Sequence, residues 1–208
     1  PLSEVSYYAV ETDSSNYDMK LTSGDDFEIP TVTVKVFGYD KNGVKNAVVT
    51  DLDTVVEFAT EPAKGNNLDV AIDNDGKIVL AEASSGDAIK KAPTGYYVLK
   101  ANVSGKTART ASFRVTDSQP IPTVTVEKTY TNEADLLAAV RDCLKVTLDG
   151  ADIDDSEIIL GDVQQYTKNA YVKTIKYVQQ FVDADGNNAG TITHTINVNR
   201  TIYYDQAN

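Results

Sequence analysis

Residues 95–105 read Gly-Tyr-Tyr-Val-Leu-Lys-Ala-Asn-Val-Ser-Gly, and this stretch decides the fold class. Side chains alternate along it, so that one face carries Tyr97, Leu99, Ala101 and Val103. Such alternation is typical of a strand with one buried face, because successive side chains of a strand point to opposite sides. A Ser-Gly turn then leads to a second alternating segment at 111–115. The sequence therefore predicts an antiparallel strand pair here.

Similar segments occur on both sides of this pair. They lie at 5–12, 32–36, 55–58, 78–80, 124–126, 143–148, 158–160, 175–181 and 192–202. Turns rich in Asp, Asn and Gly follow or join several of them, at 40–43, 73–76 and 183–188, and this chemistry suits tight hairpins. The chain is rich in β-formers such as Tyr (12 residues), whereas Met and Trp number 1 and 0. These patterns predict a fold of the all-β class, in which strands are the main elements.

In one segment the spacing of the apolar residues changes from every second residue, as in a strand, to the spacing of a helix. Asn132 is predicted to cap this helix, with Glu133 and Asp135 in its first turn. An apolar stripe at helical spacing follows, formed by Leu136, Leu137, Val140 and Leu144. We expect the only substantial helix of the chain near residues 132–142.

A proline-containing segment, Asp117-Ser118-Gln119-Pro120-Ile121-Pro122, divides the chain. Proline lacks an N–H for a strand ladder and stiffens the backbone. We predict two tandem immunoglobulin-like β-sandwiches at 1–117 and 123–208, joined by a linker at 118–122, since each sandwich needs about 100 residues. The pentapeptide Pro-Thr-Val-Thr-Val occurs at 30–34 and again at 122–126, which supports tandem β domains.

Charge and cysteine content limit the partners and the chemistry. The formal net charge is −12, which disfavours nucleic acid and anionic membrane surfaces as partners. The sequence contains no apolar run of about 18 residues that would predict a membrane span. The single cysteine, Cys143, lies among apolar residues and is predicted to be a buried core thiol. His194, the single histidine, is predicted to lie half-buried and hydrogen-bonded on a strand face.

Two stretches of the first half resemble bacterial immunoglobulin-like domains. Residues 93–106, Pro-Thr-Gly-Tyr-Tyr-Val-Leu-Lys-Ala-Asn-Val-Ser-Gly-Lys, resemble their penultimate strand and turn. Residues 32–43, Val-Thr-Val-Lys-Val-Phe-Gly-Tyr-Asp-Lys-Asn-Gly, resemble a valine-rich strand that ends in an Asp-x-x-Gly turn. The resemblance covers residues 28–117 and, more loosely, 122–205. It implies β-sandwiches strung along a bacterial surface-layer protein, adhesin or cell-wall protein, and it transfers no catalytic residues.

The densest acidic cluster is the candidate metal site. It consists of Asp149, Asp152, Asp154, Asp155 and Glu157. Calcium takes 6–8 oxygen ligands, so a weak surface calcium site is one hypothesis, and a solvated loop is the other. The Asp183, Asp185 and Asn187 segment resembles the start of a calcium loop but lacks its Gly and Glu, which favours a hairpin turn.

Three adjacent tyrosine pairs are candidate contact residues: Tyr7-Tyr8, Tyr96-Tyr97 and Tyr203-Tyr204. Neighbouring side chains of a strand point to opposite faces, so one ring of each pair should be exposed. One hypothesis is that these rings only pack on the strands. The other is that the exposed rings stack on a sugar or a partner domain.

The sequence contains no serine elbow, phosphate-binding glycine loop or dinucleotide motif, so we expect no enzyme. The functional prediction is a structural segment of a secreted, extracellular protein at the cell surface or cell wall, with neighbouring domains or copies of the same protein as partners. The alternative is an adhesin or carbohydrate-binding module that contacts a cell-wall or host glycan. Calcium is the one cofactor that these patterns suggest.

Overall fold

The structure, a computed structural model, describes residues 4–205. These residues form two compact units. Unit 1 holds the described residues up to Gln119 together with Val182–Asn188, and unit 2 holds Pro120–Phe181 and the described residues from Ala189 onward. Each unit is described separately below.

Unit 1 contains eleven of the strands and one short helix. In chain order its elements are β1 (Tyr7–Thr12), β2 (Asn16–Asp18), β3 (Thr31–Tyr39), β4 (Lys45–Val48), α1 (Leu52–Val55), β5 (Val56–Thr60), β6 (Lys77–Val79), β7 (Ala81–Glu82), β8 (Lys90–Lys91), β9 (Gly95–Val103), β10 (Lys106–Thr107) and β11 (Ala111–Thr116).

Two sheets form the layers of unit 1. The first has the order β1-β3-β4, with β6 also pairing β3, and the second has the order β10-β9-β11-β2, with β5 also pairing β9. Neighbouring strands run antiparallel except β2 and β11, which run parallel. The short strands β7 and β8 pair with each other. This arrangement is a β-sandwich of the immunoglobulin type.

The core of unit 1 lies on the alternating faces that the sequence predicts. Val32, Val34 and Val36 of β3 are fully buried, and they are joined by the inward residues of β9. Those inward residues are Tyr97, Leu99, Ala101 and Val103. The Tyr97 ring stacks on Phe113 of β11 at a centroid distance of 4.9 Å. The predicted strand pair at 95–115 is therefore confirmed in both pairing and face.

Unit 2 is built from seven strands, one helix and one 3-10 turn. Its elements are β12 (Thr123–Val126), α2 (Leu136–Cys143), β13 (Leu144–Leu148), β14 (Ala151–Asp152), a 3-10 turn (Asp155–Glu157), β15 (Ile158–Gly161), β16 (Gln164–Gln165), β17 (Asn169–Val182) and β18 (Asn188–Tyr203). One sheet has the order β12-β13-β14, and the other pairs β15, β16 and β18 with β17.

The core of unit 2 is a separate apolar cluster. It is lined by Val140 and Cys143 of α2, Val146 of β13 and Val172 and Ile175 of β17. Thr174 and Ile175 are consecutive and both buried, so the inward face of β17 changes parity at this point. A single alternation cannot describe a strand with such a shift, and the sequence pattern identified only the later half.

The helix differs from its prediction. Asp135, not Asn132, is the N-cap, and its carboxylate accepts a hydrogen bond from the Ala138 N–H at 3.0 Å. Only eight residues are helical, and the buried positions of α2 are Ala139, Val140 and Cys143. Asn132 and Glu133 lie before the helix, because the backbone around 131–133 pairs with the end of β18. The helical turn α1 was also not predicted, and it takes Val55 out of the strand predicted at 55–58.

The two copies of the Pro-Thr-Val-Thr-Val pentapeptide take different positions. The first begins β3, which pairs with three strands and buries Val32 and Val34 completely. The second forms β12, which pairs with β13 and leaves Val126 37% exposed. The fold class is mainly β, with immunoglobulin-like sandwiches and one short helix inserted in the second. The domain limits at 117 and 123 stay a prediction.

Candidate functional sites

Three turns share the sequence pattern Asp-x-Asn/Asp-Gly and the same hydrogen bonds. In each, Oδ1 of the first aspartate accepts the backbone N–H groups two and four residues later. The aspartates are Asp40 (2.8 and 3.0 Å), Asp73 (3.0 and 2.8 Å) and Asp183 (3.0 and 2.9 Å). These bonds explain why aspartate is found at the first position: the carboxylate holds the turn closed. The turn interpretation of all three segments is confirmed.

Glycine at the fourth position completes each turn. Its φ is +76° at Gly43, +87° at Gly76 and +79° at Gly186, a region that other residues rarely adopt. Each glycine N–H donates to the carbonyl of the first aspartate at 3.0 Å. Because one oxygen of each aspartate already accepts two backbone N–H groups, these carboxylates serve as structural groups of the turns.

The first two residues of the acidic cluster lie at a hairpin between β13 and β14. Asp149 and Gly150 both have positive φ, +52° and +81°, as a two-residue hairpin turn requires. Asp152 lies in β14, and its Oδ1 is 3.4 Å from Nζ of Lys145 on the neighbouring strand. Both partners of this ion pair are about half exposed, so the pair stabilises the fold only slightly.

The remaining three acidic residues surround the 3-10 turn. Asp154 caps this turn, and its Oδ1 accepts hydrogen bonds from the Ser156 hydroxyl at 2.7 Å and the Ser156 N–H at 2.9 Å. These bonds hold the pKa of Asp154 below its usual value, the hydroxyl having the largest effect. Asp155 and Glu157 lie within the turn. Between residues 4 and 205, no three side chains of His, Cys, Asp or Glu group as metal ligands. The calcium hypothesis stays a prediction.

Two of the tyrosine pairs contain an exposed ring, as predicted, but Tyr7 and Tyr8 are both half-buried, so the prediction is wrong for that pair. Tyr97 is fully buried and donates its hydroxyl to the Pro93 carbonyl at 2.6 Å, whereas its neighbour Tyr96 is 63% exposed. Burial raises the pKa of Tyr97 to about 12. Tyr203 is 48% exposed, and its backbone forms a bridge with that of Tyr130.

The outer face of β1 and β3 carries an aromatic ladder that the sequence patterns did not identify as a unit. It comprises Tyr7, Tyr39, Phe37, Glu11, Lys45 and Arg109. Tyr7 and Tyr39 are cross-strand partners whose rings stack at 5.0 Å. The Arg109 guanidinium covers Tyr7, and the Lys45 ammonium covers Phe37, each at 3.9 Å. The sequence did contain a signal for this ladder, because strand alternation puts residues 7, 9 and 11 on one face of their strand and residues 35, 37 and 39 on one face of theirs.

The ladder contains one acidic residue, Glu11. The Tyr39 hydroxyl donates to Glu11, whose other carboxylate oxygen is 3.2 Å from Lys45 Nζ. The Tyr39 bond is the main reason that the pKa of Glu11 is lowered. The cations and aromatic rings of the ladder therefore contact one another, and the ring faces of Tyr7 and Phe37 are covered by side chains of the same chain.

Cys143 is a buried core thiol, as predicted, whereas His194 is hydrogen-bonded on a strand, as predicted, but is buried and not half-buried. The Cys143 thiol is fully buried in the core of unit 2, and this burial raises its pKa. His194 is 8% exposed, lies 2.9 Å through Nε2 from Oε1 of Gln179 and stacks on Tyr177. Neither residue contributes a reactive group to the surface.

Several solved structures are similar to the chain. Domains 6–7 of the surface layer protein SbsC are 14% identical, with a TM-score of 0.42 and coverage of 98% of this chain and 100% of theirs. The Yersinia pseudotuberculosis adhesin InvE is 14% identical (TM-score 0.29, covering 94% and 49%). Extracellular cadherin domains 1–5 of protocadherin gamma B2 are 12% identical (TM-score 0.31, covering 95% and 39%). Sequence identities and TM-scores this low support no conclusion about function.

No protein-family profile and no curated protein matches the sequence. In the described part of the chain, neither helix has the length and apolar character needed to cross a bilayer.

Proposed function

We propose that the chain is a non-catalytic structural segment of a secreted bacterial surface protein, of the surface-layer or cell-wall kind. In this role it acts through contacts between neighbouring domains and between copies of the same protein. Its place is extracellular, at the cell surface.

The observation that carries the proposal is the use of the polar side chains. In each of the three turns, the carboxylate of Asp40, Asp73 or Asp183 bonds its own backbone. On the outer face of unit 1, the cations of Lys45 and Arg109 cover aromatic rings of the same unit. A protein whose charged groups hold its own turns and strands together has the chemistry of a scaffold.

The two apolar interiors support the same proposal. Each unit has its own buried cluster, and each is closed without an internal disulfide, since the chain has one cysteine. Two sandwiches in tandem can each keep an independent core. Hydrophobic burial supplies the stability that many small extracellular domains obtain from disulfides.

The negative net charge of the chain supports contact between copies that depends on cations. A net charge of −12 keeps isolated chains apart at low ionic strength. Divalent cations screen and bridge carboxylates more effectively than monovalent salt does, so calcium should promote contact between copies.

The test is assembly of the purified 208-residue chain. We expect ordered sheets or filaments, seen by negative-stain electron microscopy and light scattering, on addition of millimolar calcium chloride. Sodium chloride at the same ionic strength is the matched control and should give much less assembly. Dispersed monomers under all conditions would count against the proposal. Saturable binding to one glycan on an array, without assembly, would favour the adhesin or carbohydrate-binding alternative instead.

A further inference from the structure

The last strand of unit 2, β18, lies at the edge of its sheet. It pairs with β17, and an isolated bridge joins Tyr203 near its end to Tyr130. In the part of the chain between residues 4 and 205, no backbone group of Thr195–Val198 bonds to a strand other than β17. The second edge of this segment is therefore open, and an open edge is a surface on which another strand can pair.

This edge lacks the features that usually prevent pairing. Proteins protect their edge strands with lysine, proline or a bulge. Residues 186–199 are the longest run of the sequence without Asp, Glu, Lys or Arg, and the run contains no proline. Six of the eight residues at 191–198 are β-branched, so the segment strongly favours an extended strand.

The open segment also has a regular backbone. Its nearest residues with positive φ are Gly190 at +123° and Asn199 at +50°, one on each side of it. Between them, exposed side chains alternate with more buried ones, and the exposed ones are all polar: Thr193, Thr195 and Asn197. Eight residues of regular strand extend about 27 Å, which is long enough for a continuous ladder.

Other edge strands of the protein are short or irregular. β4 has four residues, begins with Lys45 and lies opposite a bulge in β3. β5 has five residues, carries Glu57 and is interrupted by a bulge between Phe58 and Thr60. β12 and β14 have only four and two residues. The open segment of β18 differs from all of these in its length and its lack of charge.

We propose that the open edge of β18 pairs, antiparallel, with the same edge of a second copy of the chain. The two four-stranded sheets would then join into one sheet across the contact. This inference rests on the proposed function, because it names the surface through which copies meet.

The charge of the chain favours a second copy as the partner at this edge. Two copies that each carry a net charge of −12 repel each other, so they approach at least cost where both surfaces are uncharged. A two-fold axis at Thr195 would place Thr193 of one copy opposite Asn197 of the other. Polar side chains would then face polar side chains, and no like charges would lie opposite each other.

A contact through one pair of strands is weak. It covers far less than the about 1,600 Å² of a standard protein interface. In an array it adds to the other contacts of each copy, so that many weak contacts together hold the assembly. Association of two isolated chains must therefore be measured at high protein concentration.

The test is sedimentation velocity of the full chain, up to about 1 mM, together with hydrogen exchange. We expect reversible dimers, with amide protection that rises with protein concentration only in the segment 192–198. Thr195→Lys/Asn197→Lys should raise the dissociation constant about tenfold or more, because like charges then face each other across the edge. These lysines change the net charge from −12 to −10, so long-range repulsion falls and cannot explain the loss.

Thr195→Glu/Asn197→Glu should weaken the dimer in the same way. An equimolar mixture of the Lys and Glu variants should dimerise again, because opposite charges now face each other. A defect in folding would not be repaired by mixing, and the thermal midpoint of each variant checks the fold independently.

The matched control is Asn102→Lys/Ser112→Lys. It adds the same charge at two exposed positions on β9 and β11, which have a neighbouring strand on each side, and it should leave the dissociation constant within about twofold. Equal weakening by the control, or no recovery in the mixture, would overturn the inference. Calcium-dependent assembly that survives in the Thr195→Lys/Asn197→Lys variant would remove the edge contact and leave the proposed function standing. Monomers at every concentration, with and without calcium, would contradict both.

Discussion

Gly76 lies so close to the carbonyl of Val34 that a Cβ added to the glycine would stand 2.1 Å from that oxygen. The two residues are also hydrogen-bonded, with the Val34 N–H donating to the Gly76 carbonyl at 2.7 Å. The Asp73 turn therefore packs directly against the central buried strand of unit 1, and the glycine is required there for space as well as for its φ.

We predict that Gly76→Ala destabilises unit 1 by about 3 kcal/mol or more, because the positive φ and the clash with backbone both penalise a side chain. Gly43→Ala is the matched control. Its φ is +76°, but the nearest atom to an added Cβ is 3.9 Å away, so a loss of about 1 kcal/mol is expected. Urea unfolding with hydrogen exchange would measure both, and equal losses would show that the close approach has no energetic effect.

The Asp73 carboxylate gives the second prediction. Asp73→Ala should cost about 1–2 kcal/mol, because two backbone N–H groups lose their acceptor. Asp75→Ala is the control, since Asp75 takes part through its N–H, and it should change stability by less than about 0.5 kcal/mol. Both values should be the same in calcium and in a chelator. A calcium-dependent loss at Asp73 would mean that the turn is a cation site.

The buried hydroxyl of Tyr97 gives the third prediction. Tyr97→Phe removes the donor to the Pro93 carbonyl and should cost about 1–2 kcal/mol, whereas Tyr96→Phe, at an exposed ring, should be nearly neutral. Urea unfolding at neutral pH measures both variants, and equal losses would contradict a stabilising role for the buried hydroxyl.

The same variant should change the alkaline pH dependence. Burial raises the pKa of Tyr97 to about 12 in the folded state, from about 10 when unfolded. Its contribution to stability is therefore fully present below about pH 10 and is lost as the pH rises from about 10 to 12, because the unfolded chain ionises first. Denaturant unfolding between about pH 8 and 12 should show a shallower decline in Tyr97→Phe than in the wild type. Parallel curves would contradict the assignment.

The sequence was most informative where one strand face is buried along its whole length. β3 and β9 follow strict alternation, so their buried residues could be named from the pattern alone. The aspartate turns were also predictable, because the chemistry of Asp and Gly acts over about five residues. In both cases the deciding interactions are local.

Features that depend on distant partners could not be predicted. The contact of Asp18 with Ser118 joins residues 100 positions apart, and nothing near either residue indicates it. The helix begins late because Thr131 pairs with Tyr203, which outweighs the capping preference of Asn132. The repeated pentapeptide shows the same limit: identical residues form a central strand at 31–34 and a less buried one at 123–126, according to the strands around them.

The last prediction concerns calcium at the acidic cluster. A cation bound by Asp149, Asp152, Asp154, Asp155 and Glu157 would compete with Lys145 for Asp152 and with Ser156 for Asp154. We therefore expect any binding to be weak, with a dissociation constant in the millimolar range, where extracellular calcium modules operate. Isothermal titration calorimetry should show a small heat that disappears in Asp152→Ala/Asp154→Ala. The matched control, Asp73→Ala/Asp75→Ala, removes the same charge elsewhere and should keep that heat. The absence of heat at millimolar calcium, or its survival in the first variant, would eliminate the acidic cluster as a calcium site.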